Sequence, residues 1–258
     1  MDQQSSSSRE HFSSRLGFIL AAAGAAVGLG NIWGFPTQVA SNGGGAFLLV
    51  YLIMIFVVAF PMLVVEMAIG RHGQANPVDS MRSLTTNPLG KKVGEFVGWI
   101  GLSVPSAVLA FYSIVGGWLI CFLIGAVADL VGLEAIADWF KGFSVERNVF
   151  GTVAFYVLTI LIVQGGVKQG IEKWSTRLMP ALFILFGLLF VYIMTQAGAM
   201  EGLKHYLVPD FEKVWDRKLI LAAMGQGFFS LTIGGCSMLV YGSYLSLIHI
   251  SEPTRRKR

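Results

Sequence analysis

Five long stretches of the chain contain no Asp, Glu, Lys or Arg. They cover residues 16–65, 96–128, 148–167, 178–200 and 219–251. A helix needs about 20 residues to cross the hydrocarbon core of a bilayer, so the first stretch is long enough for two crossings and each of the others for one. Charged residues make up only 13% of the chain, whereas a soluble domain carries about 25%. The sequence therefore predicts an all-α integral membrane protein with six spans, and it excludes an ordinary water-soluble domain.

The predicted spans divide the chain into a tail, a membrane domain and a C-terminal segment. The tail covers residues 1–15, and the membrane domain covers residues 16–244, with spans at residues 16–40, 46–70, 93–128, 150–167, 171–197 and 219–244. With a cytoplasmic N-terminus, nine Lys and Arg residues lie on the inner side and six on the outer side, a bias that favours this orientation. We therefore expect a multi-pass protein of the plasma (inner) membrane with its N-terminus in the cytoplasm.

The charged residues exclude two further classes of protein. Residues 252–258 contribute three of the four charges in the formal net charge of +4, so no basic surface for a nucleic acid remains. The predicted membrane core contains no cluster of metal ligands, no paired carboxylates and no nucleophile on a strand. The sequence therefore predicts neither a nucleic-acid-binding protein nor an enzyme.

The first and sixth predicted spans contain glycines and polar residues where a membrane helix is normally apolar. In the first span, three glycines at residues 24–30 lead into Asn31; in the sixth, four glycines at residues 225–235 surround Ser230 and Thr232. Glycine weakens a helix by about 1 kcal/mol relative to alanine, and an unwound helix exposes backbone groups that hydrocarbon cannot satisfy. Freed amides attract a carboxylate, and freed carbonyls are ligands for a small cation. A pair of interrupted helices of this kind indicates a transporter binding site.

Two features of these spans have a second interpretation. The spacing of Gly24 and Gly28 is also typical of close helix packing, although Asn31 favours a binding site because an amide in mid-membrane needs polar partners. Glu66 lies inside the second predicted span. Its carboxylate either braces the helix end and a gate, or binds a proton or an ion.

Several motifs of the sequence occur together in one known family. They are REHF at residues 9–12, AVGLGNIW at 26–33, FP at 35–36, NGGGAF at 42–47, EMAIGR at 66–71, KQGIEK at 168–173, PDFE at 209–212 and the segment 226–244. Over residues 9–244 the chain resembles the N-terminal half of a bacterial neurotransmitter:sodium symporter with the leucine-transporter fold. That fold contains two inverted five-helix repeats. The resemblance therefore implies the first five-helix repeat plus the sixth helix, with helices 1 and 6 broken in mid-membrane.

The resemblance implies a substrate site and two sodium sites between the two breaks. The implied substrate-binding residues are Ala26, Gly28, Leu29, Gly30, Val108, Tyr112, Phe229, Ser230, Thr232 and Gly235. The amides of Leu29 and Gly30 and the Tyr112 hydroxyl would hold a substrate carboxylate. Phe229 would close the pocket on the outer side. The implied sodium ligands are Ala26, Asn31 and Ser230 for one ion, and the carbonyls of Gly24 and Val27 for the other.

The resemblance also implies elements that control access to the site. Arg9, Phe12 and Tyr244 correspond to a cytoplasmic gate, where the family usually has tryptophan in place of Phe12. Gly170 and Pro180, separated by nine residues, resemble an element of the fifth helix that unwinds to open the inner sodium site. A glycine and a proline also mark an ordinary helix boundary, so both interpretations remain.

Two positions depart from the family pattern. Gly34 stands where the family usually has an arginine of the outer gate, which places an outer salt bridge in question. Gly235 stands where leucine-specific members have an aromatic pocket wall. A smaller residue enlarges the cavity, so we expect apolar or aromatic amino acids that are larger than glycine or alanine to be the substrates.

The family fold continues with further helices that this sequence does not contain. Residues 245–258 depart from the family and resemble a translated sequencing adapter, so we expect a fragment that does not transport alone. For its parent protein we expect a sodium-coupled symporter of amino acids. A proton-coupled amino-acid permease and a non-transporting membrane scaffold are the alternatives.

The sequence predicts neither chloride use nor oligomeric state. Tyr51, Gln226 and Ser230 match positions that contact chloride in animal relatives, but the deciding position would lie in the missing seventh helix.

Overall fold

The computed structural model describes residues 12–245, and these residues form eleven helices. In chain order they are α1 (Arg15–Ala26), α2 (Gly30–Ser41), α3 (Gly45–Gly73), α4 (Pro77–Arg82), α5 (Pro88–Leu130), α6 (Glu134–Lys141), α7 (Val145–Val163), α8 (Gly166–Met194), α9 (Ala199–Leu207), α10 (Arg217–Ser230) and α11 (Ser237–Ser243). Three of them include a π-helical segment, at Gly30–Gly34, Ile55–Ala59 and Gly166–Glu172. Within this described part of the chain, extended pairing is limited to one bridge between Gly44 and Pro209.

Four uninterrupted helices and two interrupted pairs of helices lie at the predicted spans. Four described helices, α3, α5, α7 and α8, are long and apolar enough to cross a membrane without interruption. Helices α1 and α2 together make another span, bent by 59° where residues 27–29 separate them. The sixth predicted span consists of two shorter helices, α10 and α11, separated by residues 231–236. Both interruptions thus lie at the glycine-rich segments that the sequence indicated.

Several helices extend beyond the predicted spans, because a charged residue does not end a helix. Helix α5 begins at Pro88 rather than at residue 93, since the side chain of Asn87 caps it by accepting a hydrogen bond from the Leu89 amide (2.9 Å). Helix α7 begins at Val145 rather than at residue 150, where Ser144 is the capping residue. Such caps satisfy amides that have no partner in the first turn. The short helices α4, α6 and α9 connect the spans.

The apolar side chains of the long helices point outward as well as inward. Phe183, Leu185 and Leu188 of α8 are 58%, 60% and 65% exposed. Such surfaces suit hydrocarbon rather than water, because lipid solvates apolar side chains while the helix satisfies its own backbone groups.

Helix α3 packs against both helices of the sixth span, α10 and α11. It packs against α10 around a buried cluster of Val39, Ala46, Phe47, Val50, Leu219 and Ala223. It also packs against α11, where a side chain on Gly70 would collide with the carbonyl of Leu239 and one on Gly242 with the carbonyl of Met67. Glycine at these two positions permits the close approach of the backbones.

Candidate functional site

The two interruptions have different backbone conformations. Residues 27–29 follow α1 with an extended Val27 (φ −92°, ψ 106°). In residues 231–236 the backbone of Thr232, Gly234 and Cys236 is left-handed, with φ of 53°, 85° and 54°. A β-branched residue such as threonine rarely adopts this conformation, and such strain costs on the order of 1–3 kcal/mol. The surrounding contacts must therefore hold the second interruption in place.

The side chain of Asn31 joins the two interruptions. Its Nδ2 donates a hydrogen bond to the Ala26 carbonyl (2.6 Å), and its Oδ1 accepts one from Ser230 Oγ (2.8 Å). Gln226 Nε2 makes a second link by donating to the Gly30 carbonyl (3.2 Å). The structure thus brings together the three residues that the resemblance implied for one sodium ion.

These three residues have the donor chemistry that a small hard cation requires. A backbone carbonyl, an amide oxygen and a hydroxyl are all neutral oxygen ligands. In the described conformation, however, the amide of Asn31 directs Nδ2 and not Oδ1 at Ala26. Binding of a cation between Ala26 and Asn31 therefore requires the amide to turn so that Oδ1 faces the carbonyl.

Gly24 and Val27, the residues implied for the second sodium ion, lie at the end of α1. The Val27 amide donates to the Ala23 carbonyl (2.8 Å), after which the carbonyls of the last turn lose their usual helical partners. Gly24 faces α8, since a Cβ at this position would lie 3.5 Å from Met179 Sδ and 3.7 Å from Ser175 Oγ. Gly24, one of the two implied ligands, therefore lies at the contact between α1 and α8.

The beginning of α2 offers free backbone amides. The amides of Asn31 and Ile32 donate to the Gly28 carbonyl at 3.0 and 3.1 Å. For the amides of Leu29 and Gly30, no backbone acceptor exists among residues 12–245. Free amides at the start of a helix, together with the helix dipole, favour an anion. These are the two amides that the resemblance assigned to a substrate carboxylate.

A cavity of about 630 Å³ lies beside the two interruptions. Most of the implied site residues line it, namely Gly24, Ala26, Val27, Gly28, Asn31, Val108, Tyr112, Phe229, Thr232 and Gly235. Leu29 and Gly30 line an adjoining cavity of about 400 Å³, together with Val108, Tyr112 and Phe229. Ser230 lines neither of them, because it is buried behind Asn31 (5% exposed).

Two side chains, those of Phe229 and Tyr112, shape the boundary between the two cavities. The ring of Phe229 lies against Gly30 so closely that a Cβ on Gly30 would overlap it. The Tyr112 hydroxyl would lie 3.5 Å from a Cβ on Gly28. Gly30 thus leaves the room that the aromatic ring needs to approach the interrupted backbone, whereas a side chain at Gly28 would make only ordinary contact with the Tyr112 hydroxyl.

Glu66 contacts the second interruption. Its Oε1 accepts a hydrogen bond from the Gly234 amide (2.7 Å). Its Oε2 is buried and has no hydrogen-bond partner among the described residues. The contact with Gly234 favours the bracing interpretation of Glu66, because it holds one of the left-handed residues in place.

Part of the implied cytoplasmic gate is visible. The ring of Phe12 lies 5.3 Å from that of Phe18 in α1, and 5.9 and 6.4 Å from those of Tyr241 and Tyr244 at the end of α11. Arg9 lies outside the described residues. The aromatic members therefore connect the beginning of the first span to the end of the sixth.

Several residues around the site were not predicted from the sequence. Val104, Pro105, Phe228, Ile233 and Ser237 also line the larger cavity. Tyr51, which the sequence matched only to a chloride-contacting position, donates a hydrogen bond to Ser230 (3.1 Å). Val104 and Pro105 stand one helical turn before Val108, so the helical period could have identified them. Ile233 and Ser237 flank a broken helix, where no period applies.

Comparison with known proteins identifies the family. Residues 9–140 and 144–249 match the sodium:neurotransmitter symporter family. An uncharacterised sodium-dependent transporter, YhdH of Bacillus subtilis, is 40% identical over 91% of this chain and 52% of its own length. An uncharacterised sodium-dependent transporter of Haemophilus influenzae is 33% identical over 95% of this chain and 57% of its own. The sodium- and chloride-dependent GABA transporter 2 of mouse is 26% identical over 92% of this chain and 45% of its own. The chain thus spans about half the length of these relatives.

A solved structure supports the same assignment. The crystal structure of MhsT in complex with L-phenylalanine matches with a TM-score of 0.77 and 39% identity, over 93% of this chain and 54% of that one. This match confirms the predicted all-α membrane fold of the leucine-transporter type. The relatives are transporters and not enzymes, which confirms that prediction as well. The chain therefore belongs to the sodium:neurotransmitter symporter family.

Proposed function

We propose that this chain forms the part of a sodium-coupled amino-acid symporter that contains both interrupted helices. The observation that carries the proposal is the side chain of Asn31, which joins Ala26 of the first interruption to Ser230 of the second beside the large cavity. A cation at this place would replace the Asn31 amide hydrogens as the partner of the Ala26 carbonyl. Ion binding would thereby change the contact between the two interrupted helices, which is what coupling of ion and substrate requires.

In this proposal the substrate carboxylate binds at the beginning of α2. The free amides of Leu29 and Gly30 would donate to it, with the Tyr112 hydroxyl as a further donor. Ala26 and Gly28 would form the adjacent wall. Ser230 acts through the ion rather than through direct contact, because it is buried behind Asn31.

The substrate side chain would occupy the cavity of about 630 Å³. Val108, Phe229 and Thr232 line it, and Phe229 would cover the substrate on the outer side. A Cβ on Gly235 would meet no atom closer than 3.7 Å, so this wall leaves space for a large substrate. We therefore propose apolar or aromatic amino acids as substrates, and the presence of L-phenylalanine in the MhsT structure supports this choice.

Two further parts of the proposal concern the second ion and the membrane. The carbonyls of Gly24 and Val27 would bind the second sodium ion against α8. The excess of Lys and Arg in the predicted inner segments supports a plasma-membrane protein with residues 1–15 and the gate of Arg9, Phe12 and Tyr244 on the cytoplasmic side. In the same proposal residues 16–244 form the membrane domain, and residues 245–258 do not belong to it.

Binding of labelled phenylalanine to the purified chain in lipid nanodiscs tests the proposal. We expect binding in NaCl that is lost in choline chloride, and loss in Asn31→Ala, which removes both links to Ala26 and Ser230. Gln196→Ala is the matched control, because among the described residues this exposed side-chain amide hydrogen-bonds only to the neighbouring Thr195 (3.3 Å). Binding that persists in choline and follows pH instead would support a proton-coupled permease and contradict the proposed sodium site.

A further inference from the structure

The carboxylate of Glu172 binds the N-terminus of α1 from another helix. Glu172 is the last residue of the π-helical segment of α8 and is only 5% exposed. Its two oxygens accept hydrogen bonds from the Ser13 amide (2.8 Å), the Ser13 hydroxyl (2.6 Å) and the Ser14 hydroxyl (3.0 Å). Hydrogen bonds to a charged acceptor are about twice as strong as neutral ones.

This carboxylate supplies what α1 lacks in its own sequence. The first turn of α1 contains no acidic residue, although a negative charge there stabilises a helix through its dipole. Ser14 is the capping residue, and its hydroxyl accepts from the Gly17 amide (2.9 Å) while donating to Glu172. The cap and the carboxylate thus form one hydrogen-bonded unit across two helices.

Gly17 makes the contact possible. A Cβ at this position would overlap the carboxylate of Glu172. Along the same face of α1, Ala21 is buried and Gly24 lies against Ser175 and Met179 of α8. Small residues therefore let α1 lie flat on α8 from the carboxylate to the last turn before the first interruption.

We propose that Glu172 is a positioning residue that couples α1 to the π-helical segment Gly166–Glu172. Because Glu172 belongs to the last turn of that segment, a change in the π-helical hydrogen bonds of the segment moves the carboxylate that binds the N-terminus of α1. The opposite end of α1 contains Gly24, Ala26 and Val27. The coupling of α1 to α8 rests on the contacts alone, whereas its effect on sodium rests on the function proposed above.

Hydrogen–deuterium exchange of the full chain in nanodiscs tests the coupling. Glu172→Gln should speed exchange in residues 166–172 and in residues 15–20 together, by about tenfold or more, because charge-assisted hydrogen bonds are lost. Replacement of both Ser13 and Ser14 by alanine should reproduce part of this change. Glu212→Ala, at an exposed loop glutamate, is the control and should leave both segments unchanged.

Gly17→Ala gives the decisive comparison. In the natural sequence, it should speed exchange in both segments because the new methyl group displaces the carboxylate. In a Glu172→Ala background, the same substitution should slow exchange in α1, since the space is vacant and alanine favours helix over glycine. A Gly17→Ala effect of the same sign in both backgrounds would overturn the proposal.

Sodium titration separates this inference from the proposed function. If both hold, sodium slows exchange in residues 23–31, and Glu172→Gln raises the sodium concentration needed for half of the effect. An absence of any sodium effect, with the reversal of Gly17→Ala intact, would refute the sodium site and support the coupling. A sodium effect whose half-saturating concentration is unchanged in Glu172→Gln would refute the positioning role.

Discussion

Replacement of Arg147 by alanine should lower the apparent melting temperature of the chain by roughly 6–12 °C. Arg147 is fully buried in the first turn of α7, and no acidic residue contacts it among the described residues. Its guanidinium donates to the carbonyls of Phe140 (2.8 Å) and Trp118 (3.4 Å). It also lies 4.6 Å from the ring centroid of Phe122 and 4.9 Å from that of Phe143.

The size of the expected fall in melting temperature follows from these contacts. An acceptor left without a partner in a buried site costs about 1–3 kcal/mol, and the loss of a cation–π contact costs about 0.5–2 kcal/mol. Removal of the charge also abolishes its desolvation cost, which offsets part of the sum. A net loss of about 3 kcal/mol, at about 2–4 °C for each kcal/mol in a chain of this size, gives the expected shift. Arg147→Lys should recover only part of it, since an ammonium cannot donate as a planar fork between two rings.

Cys121 offers a local assay of the same region. Its thiol is buried and donates to the backbone carbonyl of Arg147 (3.8 Å). Maleimide labelling of Cys121, quantified on its own peptide by mass spectrometry, should therefore accelerate in Arg147→Ala together with the fall in melting temperature. Arg217→Ala, at an exposed arginine, should change stability by no more than about 0.5 kcal/mol. An unchanged melting temperature and labelling rate in Arg147→Ala would refute the reasoning.

Two further predictions concern the cavity and the loop before α10. Gly235→Phe fills the space left by the missing ring, so tryptophan and phenylalanine should compete about 10–200-fold less well for binding of a labelled amino acid, with a smaller effect on competition by alanine. Gly187→Phe, at an exposed glycine with open space around it, is the control. Equal loss of competition for all amino acids would contradict the expectation. In the loop before α10, the ammonium of Lys213 (3.1 Å) lowers the pKa of the exposed Asp210 carboxyl, with the Glu212 amide as a second donor. The ion pair between Asp210 and Lys213 should therefore persist above the ordinary pKa of Asp210 and disappear as the pH falls through the lowered pKa. Lys213→Ala should raise the pKa of Asp210 in an NMR titration.

The spans and both interruptions could be predicted from local sequence. Hydrocarbon tolerates few charges, so the charge-free stretches mark the spans wherever they occur. Glycines at residues 24–30 and 225–235 mark the interruptions for a similarly local reason, because they weaken a helix in any context. Family motifs then identified Asn31 and Ser230, and the structure brings these two side chains within 2.8 Å.

Helix ends and the pairing of distant groups could not be predicted in this way. Charged residues mark the place where a helix leaves the hydrocarbon, whereas the caps at Asn87 and Ser144 determine where α5 and α7 begin. The predicted spans left Arg147 in the loop at residues 129–149, yet it is fully buried. Its burial depends on carbonyls and rings that other helices supply, and no periodic pattern in its own segment indicates them.

The sequence by itself determined the membrane class, the position of the interruptions and the family, because each follows from residue type and order along the chain. Only the tertiary structure decided which groups from distant parts of the chain bind one another. The Gly234 amide that donates to Glu66 lies 168 residues away along the chain, and the serines that donate to Glu172 lie 159 and 158 residues away. Such contacts form when whole helices pack against one another, so their energy depends on three-dimensional geometry that neighbouring residues do not encode.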